Sequence, residues 1–396
     1  MASQLNRMHK FGAPLYCCAF LSEELLVVGG GGGKKSSGIP NQLVVARWAA
    51  GELSAEPVCT FSTGDEPPQR CVGGLCLRRT SIDAVARPSV ALHPAGSTLV
   101  VALCNTTLLL RVHVGVSESG AATCELARLP LPHASLALPA VDVKCMAFSP
   151  DGTRLAVGSS DGRLRVHAWP SLTLVCEHMG AHTDAMSDVD FSPDGSLLLS
   201  TGNEAAGPAG GAAVWSVDKS GVLARLRWLP LPPTAKGRRT FRGCRFSDAA
   251  SSPGVAFTGL NVGGEARILS WRTHDWALAA DRRALKQPLT SISMSPRGRL
   301  LAVGGAEGGV CLLSAATLAP LLTLPSAHMV FVTAVAFAPS GSALGSVSGD
   351  ASCRCTPAPP QRSLLAVLLR FFVYFLVYVA VVRLAFLAAR HAGLLA

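Results

Sequence analysis

Residues 143–169 read VKCMAFSPDGTRLAVGSSDGRLRVHAW. An alternating apolar segment ends at Phe148. Ser149-Pro150-Asp151-Gly152 then makes a turn, with Pro fixing φ and Gly supplying φ > 0. A second apolar segment, glycine-rich punctuation and a third apolar segment follow. The unit returns at 186–217 (MSDVDFSPDGSLLLSTGNEAAGPAGGAAVWSV), 289–314 (LTSISMSPRGRLLAVGGAEGGVCLLS) and 332–355 (VTAVAFAPSGSALGSVSGDASCRC). Phe148 and Phe191 are 43 residues apart, and so are Met294 and Phe337. Weaker copies at 90–103, 241–260 and 16–30 place Leu92, Phe246 and Phe20 at the matching position.

The period and the strand pattern are those of WD40-type propeller blades. Seven anchors (Phe20, Leu92, Phe148, Phe191, Phe246, Met294 and Phe337) predict seven blades. The expected fold is all-β: a seven-bladed WD40-like β-propeller followed by a single C-terminal transmembrane helix. Ring closure removes exposed sheet edges. The segment before Tyr16 is therefore expected to add the outer strand of the last blade. The repeats lack the Trp-Asp dipeptide, and Trp169 and Trp215 read as occupying comparable strand positions. The wide interval from Phe20 to Leu92 holds insertions, and the pattern does not fix blade borders within residues 50–140.

Composition narrows the class. The chain has 396 residues with 35 Lys+Arg against 25 Asp+Glu, a net charge of +10. Only 15% of residues are charged and 49% are apolar, which excludes a disordered chain. The 39 glycines and 26 prolines follow no three-residue period, which excludes collagen. A basic balance suits an acidic partner, nucleic acid or a membrane surface. The 13 cysteines are scattered without a C-x-x-C pair, so they read as small core residues in a reducing compartment. Arg7, His9 and Lys10 interrupt the first twenty residues, so no secretory signal is read and the bulk of the chain is expected in the cytosol.

Near the C-terminus, 364–387 read LLAVLLRFFVYFLVYVAVVRLAFL. As a helix this stretch would be about 36 Å long, enough for a hydrocarbon core of about 30 Å. Arg370 and Arg383 lie near its ends, where long stems reach the headgroups. The expected organisation is a cytosolic propeller over 1–356, a Pro-rich linker over 357–363, a transmembrane helix over 364–388 and a short lumenal tail over 389–396.

The most unusual stretch is Gly29 to Asn41, GGGGGKKSSGIPN, between apolar runs at 25–28 and 43–48. Five consecutive glycines are costly to order, so they imply an unusual backbone path or a close approach. A phosphate-cradling loop of Walker type does not fit. Val28 falls at its first glycine, Lys35 at its Ser/Thr, and a strand rather than a helix follows. Two readings stay open from the residues alone. The loop is a flexible hairpin tip, or it turns carbonyls inward around a cation such as potassium, with Asn41 adding an oxygen or pinning the loop.

GGGG, a polar insert and Gly38-Ile39-Pro40-Asn41, in the first blade of a propeller whose chain ends in an apolar helix, resemble the Sec-twelve family. Pro14-Leu15-Tyr16 and Phe20 resemble that family's first strand. The resemblance implies a guanine-nucleotide exchange factor of the endoplasmic reticulum (ER) membrane, propeller facing the cytosol, acting on the Sar-type small GTPase that starts COPII coat assembly. It implies that Ile39 and Asn41 form the contact loop, Ile39 as apolar wedge and Asn41 as polar anchor. It also implies a potassium site at Gly29, Gly30, Gly31, Gly32, Gly38, Ile39 and Asn41. Lys34 and Lys35 fall in the variable insert and are unexplained. The alternative is a non-catalytic ER-membrane adaptor assisting exit of cargo such as phosphate transporters.

Other clusters carry less. The basic run Lys236, Arg238, Arg239, Arg242 and Arg245 includes one aromatic, Phe241, and reads as a solvated loop rather than a nucleic-acid face. His182, Asp184 and Asp188 read as hydrogen-bonded within a blade rather than catalytic. No Ser-His-Asp order or paired-carboxylate pattern stands out, so no covalent chemistry is expected.

Overall fold

Most blades begin with a short, largely apolar strand, turn on a corner containing Pro or Gly, and run back antiparallel; in blade 1 the corner is Leu21-Ser22-Glu23-Glu24. In the computed structural model the described residues are 8–33, 35–68, 90–103, 107–130, 143–204, 211–217, 223–232, 238–247, 254–359, 372, 374–375 and 377–383. They form seven antiparallel sheets. The innermost strands are Leu15–Phe20, Val90–Leu92, Val143–Phe148, Met186–Phe191, Arg239–Phe246, Leu289–Met294 and Val332–Phe337. Each ends on one of the seven anchors expected from the repeat. Each innermost strand also touches the next, and the last touches the first, so the ring is closed.

Closure is covalently out of order. Met8–Lys10 pairs antiparallel with Ser352–Pro357, His9 opposite Cys353, and completes the seventh blade. The expected contribution of the segment before Tyr16 is thus present.

The core lies between blades. Among the described residues seven apolar clusters occur, each shared by two neighbouring blades. Phe20 and Leu26 of blade 1, for instance, pack with Val347 and Cys355 of blade 7. No disulfide joins the described cysteines, and seven of them are buried. The repeated corner is built alike in blades 3 and 4. Gly152 and Gly195 have φ near +70°, and Ser149 and Ser192 donate to Asp151 and Asp194.

Three expectations change. The residue matching Trp215 in blade 3 is His167, not Trp169. Trp215 lies opposite Leu198, and His167 lies opposite the equivalent Leu155. The Gly/Pro insertion of blade 4 displaced the count. The basic run is not a solvated loop: Arg239–Phe246 is the innermost strand of blade 5. Arg242 is buried there and donates to Asn203 at 2.6 Å. Arg245 pairs with Asp188 at 2.7 Å. Lys236 lies outside the described residues. His182 does bond within its blade, but to Ser200 at 2.8 Å and Glu204 at 2.5 Å, not to Asp184 or Asp188. Trp215 donates to the same Ser200 hydroxyl at 2.8 Å.

By contacts the chain divides into Met1–Ala358 and Pro359–Ala396. In the second unit the described residues at 372–383 are helical and expose apolar side chains, among them Phe372, Tyr374, Phe375 and Tyr378. Among the described residues no helix is long and apolar enough to cross a membrane. The rest of the expected 364–388 span lies outside them.

Candidate functional site

The loop over residues 31–40 joins Leu25–Gly30 to Asn41–Ala49, the second and third strands of blade 1. Both strands extend beyond the apolar runs that marked them in the sequence. Gly29 and Gly30 are strand residues, paired with Cys17 and Leu15 on one side and with Leu43 and Gln42 on the other. The missing Cβ is essential at Gly30, where an added Cβ would lie 2.0 Å from the Pro14 carbonyl oxygen. That crowding lets the first strand and the loop lock together. Gly31 N–H donates to Pro14 O at 3.1 Å, and the Tyr16 hydroxyl donates to Gly31 O at 3.1 Å. The upstream Pro14-Leu15-Tyr16 segment is therefore the base on which the loop sits.

Asn41 fastens the far side. It is 5% exposed. Its Nδ2 donates to Gly33 O at 2.7 Å and to Gly64 O at 3.2 Å, and its Oδ1 accepts from Gly33 N–H at 3.1 Å. Gly33 can take part because its φ of +83° belongs to the left-handed region. Gly64 ends Cys59–Gly64, which pairs with Asn41–Ala49 and lies opposite Asn41. Nothing in the sequence pattern pointed to Gly64, because its role depends on a strand pairing twenty residues away.

The loop's crest is different in character. Lys35–Ser37 forms one 3-10 turn, and Ser37 Oγ accepts from Ile39 N–H at 3.3 Å. Ile39 is 36% exposed, an apolar side chain offered to solvent beside a tightly held base. Lys34 lies outside the described residues. A strand follows the loop, as a phosphate-cradling motif would not allow.

A second apolar patch, not anticipated from sequence, lies on the neighbouring seventh blade. Met329 and Val330 of the seventh blade are 79% and 39% exposed. Met329 N–H donates to Asp350, and Lys10 approaches the Met329 sulfur at 3.9 Å. Residues 10–14 run from that contact to the Pro14–Gly31 bond, with Phe11 N–H donating to Ala351 O on the way.

The potassium implied by the family resemblance would need several inward oxygens gathered around one point. As folded, the oxygens around Asn41 are engaged in hydrogen bonds instead. Asn41 Oδ1 is taken by an N–H, Gly31 O by Tyr16, and Gly33 O and Gly64 O by the Asn41 amide nitrogen. Gly29 and Gly30 are paired on both sides within the sheet. Among the described residues there is also no group of three or more His, Cys, Asp or Glu side chains that could hold a metal.

Comparison with known proteins agrees with the architecture. The "WD domain, G-beta repeat" family matches residues 136–167 and 174–205. SEC12-like protein 2 of Arabidopsis thaliana is 28% identical over 326 residues, 81% of this chain and 72% of that protein. SEC12-like protein 1 of the same plant is 28% identical over 61% of this chain and 55% of its own length. The guanine nucleotide-exchange factor SEC12 of Rattus norvegicus is 27% identical over 61% of this chain and 60% of its own length. The matched part thus spans little more than half of the last two relatives. With two matched WD repeats and seven blades closed into a ring, the chain is a propeller with WD repeats, similar in sequence to the SEC12-like proteins.

Proposed function

We propose that this chain is a guanine-nucleotide exchange factor for a Sar-type small GTPase, starting COPII coat assembly at the ER membrane. The observation that carries the reading is Ile39, an exposed apolar side chain on a crest whose base is fixed by Asn41 and Pro14. A homologue that bears the name of an exchange factor supports it.

No covalent bond is made or broken. Exchange needs tighter binding to the nucleotide-free GTPase than to the nucleotide-bound form, because only differential affinity shifts an equilibrium. Ile39 is the wedge that enters the switch and phosphate-binding region when nucleotide leaves. Asn41 is a positioning residue acting through Gly33. A rigid base matters because a floppy loop would lose ordering entropy on binding. Met329 and Val330 extend the apolar contact. The net charge of +10 suits an acidic GTPase surface or an anionic membrane.

The apolar segment at 364–388 is the proposed anchor, holding the propeller in the cytosol and the tail at 389–396 in the lumen. The exposed apolar side chains of its described helical residues support this. The test is release of fluorescent GDP from a Sar-type GTPase by the full chain in liposomes. Acceleration supports exchange. Binding without acceleration supports the adaptor reading instead.

A further inference from the structure

We infer that the Asn41 side-chain amide takes the place of a cation at the base of the Gly31–Pro40 loop, and that the loop keeps its shape without potassium. The inference concerns how the loop is held and does not depend on which partner it meets.

An amide carries two N–H donors and one carbonyl acceptor. Asn41 uses all three groups. The two Nδ2 protons go to Gly33 O and Gly64 O at 2.7 and 3.2 Å, and Oδ1 receives Gly33 N–H at 3.1 Å. The partners fix the orientation of the amide. Turned over, its oxygen would face two carbonyl oxygens and its NH2 would face an N–H, three contacts between like poles. The positive end of the amide thus lies between two carbonyl oxygens from different parts of blade 1. Drawing carbonyls together is the electrostatic work that a bound potassium performs in cages of neutral oxygens. Here Asn41, 5% exposed and held in a strand, performs it covalently tethered.

The same geometry predicts what a one-atom-group change would do. Asn41→Asp keeps the shape but replaces the donor with a second oxygen. Gly33 N–H would still be accepted. Gly33 O and Gly64 O would then face a carboxylate, and a cation would be needed to relieve the repulsion. The variant should acquire the ion dependence that the wild-type chain lacks.

The experiment uses the full chain in detergent, melted in potassium, sodium or a bulky organic cation at equal ionic strength. Amide exchange at Gly33 and direct titration with thallium(I), a potassium surrogate, accompany the melts. For the wild type the melting temperature and Gly33 protection should be the same in all three salts, with no stoichiometric thallium binding. For Asn41→Asp the melting temperature should rise by about 2 °C per tenfold increase in potassium or sodium above its dissociation constant. Saturable wild-type binding of thallium with potassium-specific protection of Gly33 would overturn the inference. So would a folded Asn41→Asp protein indifferent to cations. If that variant does not fold, the wild-type thallium titration alone decides.

Discussion

Asn41 and Gly33 form a closed pair: the side-chain amide of one bonds both the N–H and the C=O of the other, at 3.1 and 2.7 Å. The pair joins a buried strand end to the loop that presents Ile39. It separates two properties that a mutant can test independently, the stability of the propeller and the order of the loop.

Asn41→Ala removes three hydrogen bonds and adds no bulk. Each is worth about 1 kcal/mol net, so roughly 1–3 kcal/mol of local order is lost. The far blades share no partner with Asn41. We expect normal far-ultraviolet circular dichroism, rapid amide exchange at Gly33, and at least tenfold slower stimulated nucleotide release. Full protection of Gly33 in the variant would contradict the assignment.

Among the described residues the strand that completes the seventh blade is Met8–Lys10. A chain lacking residues 1–10 leaves the Ser352–Pro357 edge unpaired, and bare edges invite association. We expect a lower melting temperature and concentration-dependent light scattering. A truncated chain that stays monomeric with an unchanged melting temperature would show that the closing strand contributes nothing.

The pair between Asp188 and Arg245 links blades 4 and 5, and Asp188 Oδ2 also accepts from Cys244 N–H at 3.1 Å. Asp188→Ala leaves Asp190 as the carboxylate facing Arg245 and removes the side-chain acceptor of the Cys244 N–H. The loss should be about 2–4 kcal/mol in urea unfolding. A loss within experimental error would mean that Asp190 replaces it completely.

His328 bonds Ser352 at 2.6 Å and Ser346 at 2.8 Å inside blade 7, and burial pushes its pKa down to about 4. Between pH 4 and the ordinary histidine value the unfolded chain binds more protons than the folded one. Stability therefore falls as pH drops through that window, by up to about 3 kcal/mol. Asp190, which burial pushes up to about 6, works in the opposite sense over part of the range. The difference between wild type and His328→Gln isolates the histidine. Urea unfolding should show a steeper decline for the wild type from pH 6.5 to 4, and parallel curves would refute the assignment.

The sequence revealed the blades because the repeat fixes local chemistry. Phe148 and Phe191 each end an innermost strand immediately before a Ser-Pro-Asp-Gly corner, so strand, turn and anchor are encoded within ten residues. Trp169 misled because an insertion of variable length separates the second and third strands, and only cross-strand register reveals that His167 matches Trp215. Arg242 and Arg245 misled because their counter-groups, Asn203 and Asp188, lie on a different blade. At the site, the glycine run and Ile39 were visible. Gly64 was not, since its carbonyl reaches Asn41 only through the pairing of two strands. Asn41 was legible as a pin or a ligand, and its three bonds to Gly33 and Gly64 show it acting as a pin.

In the proposed function the exposed side chain of Ile39 drives nucleotide release. The most direct measurement is stimulated GDP release from a Sar-type GTPase by the full chain in liposomes, wild type against Ile39→Asp. Burying an isoleucine at an interface is worth about 1.5–3 kcal/mol, so the variant should be slower by roughly 10- to 100-fold while its melting temperature holds. An Ile39→Asp chain that stimulates GDP release as fast as the wild type would show that Ile39 is not the wedge.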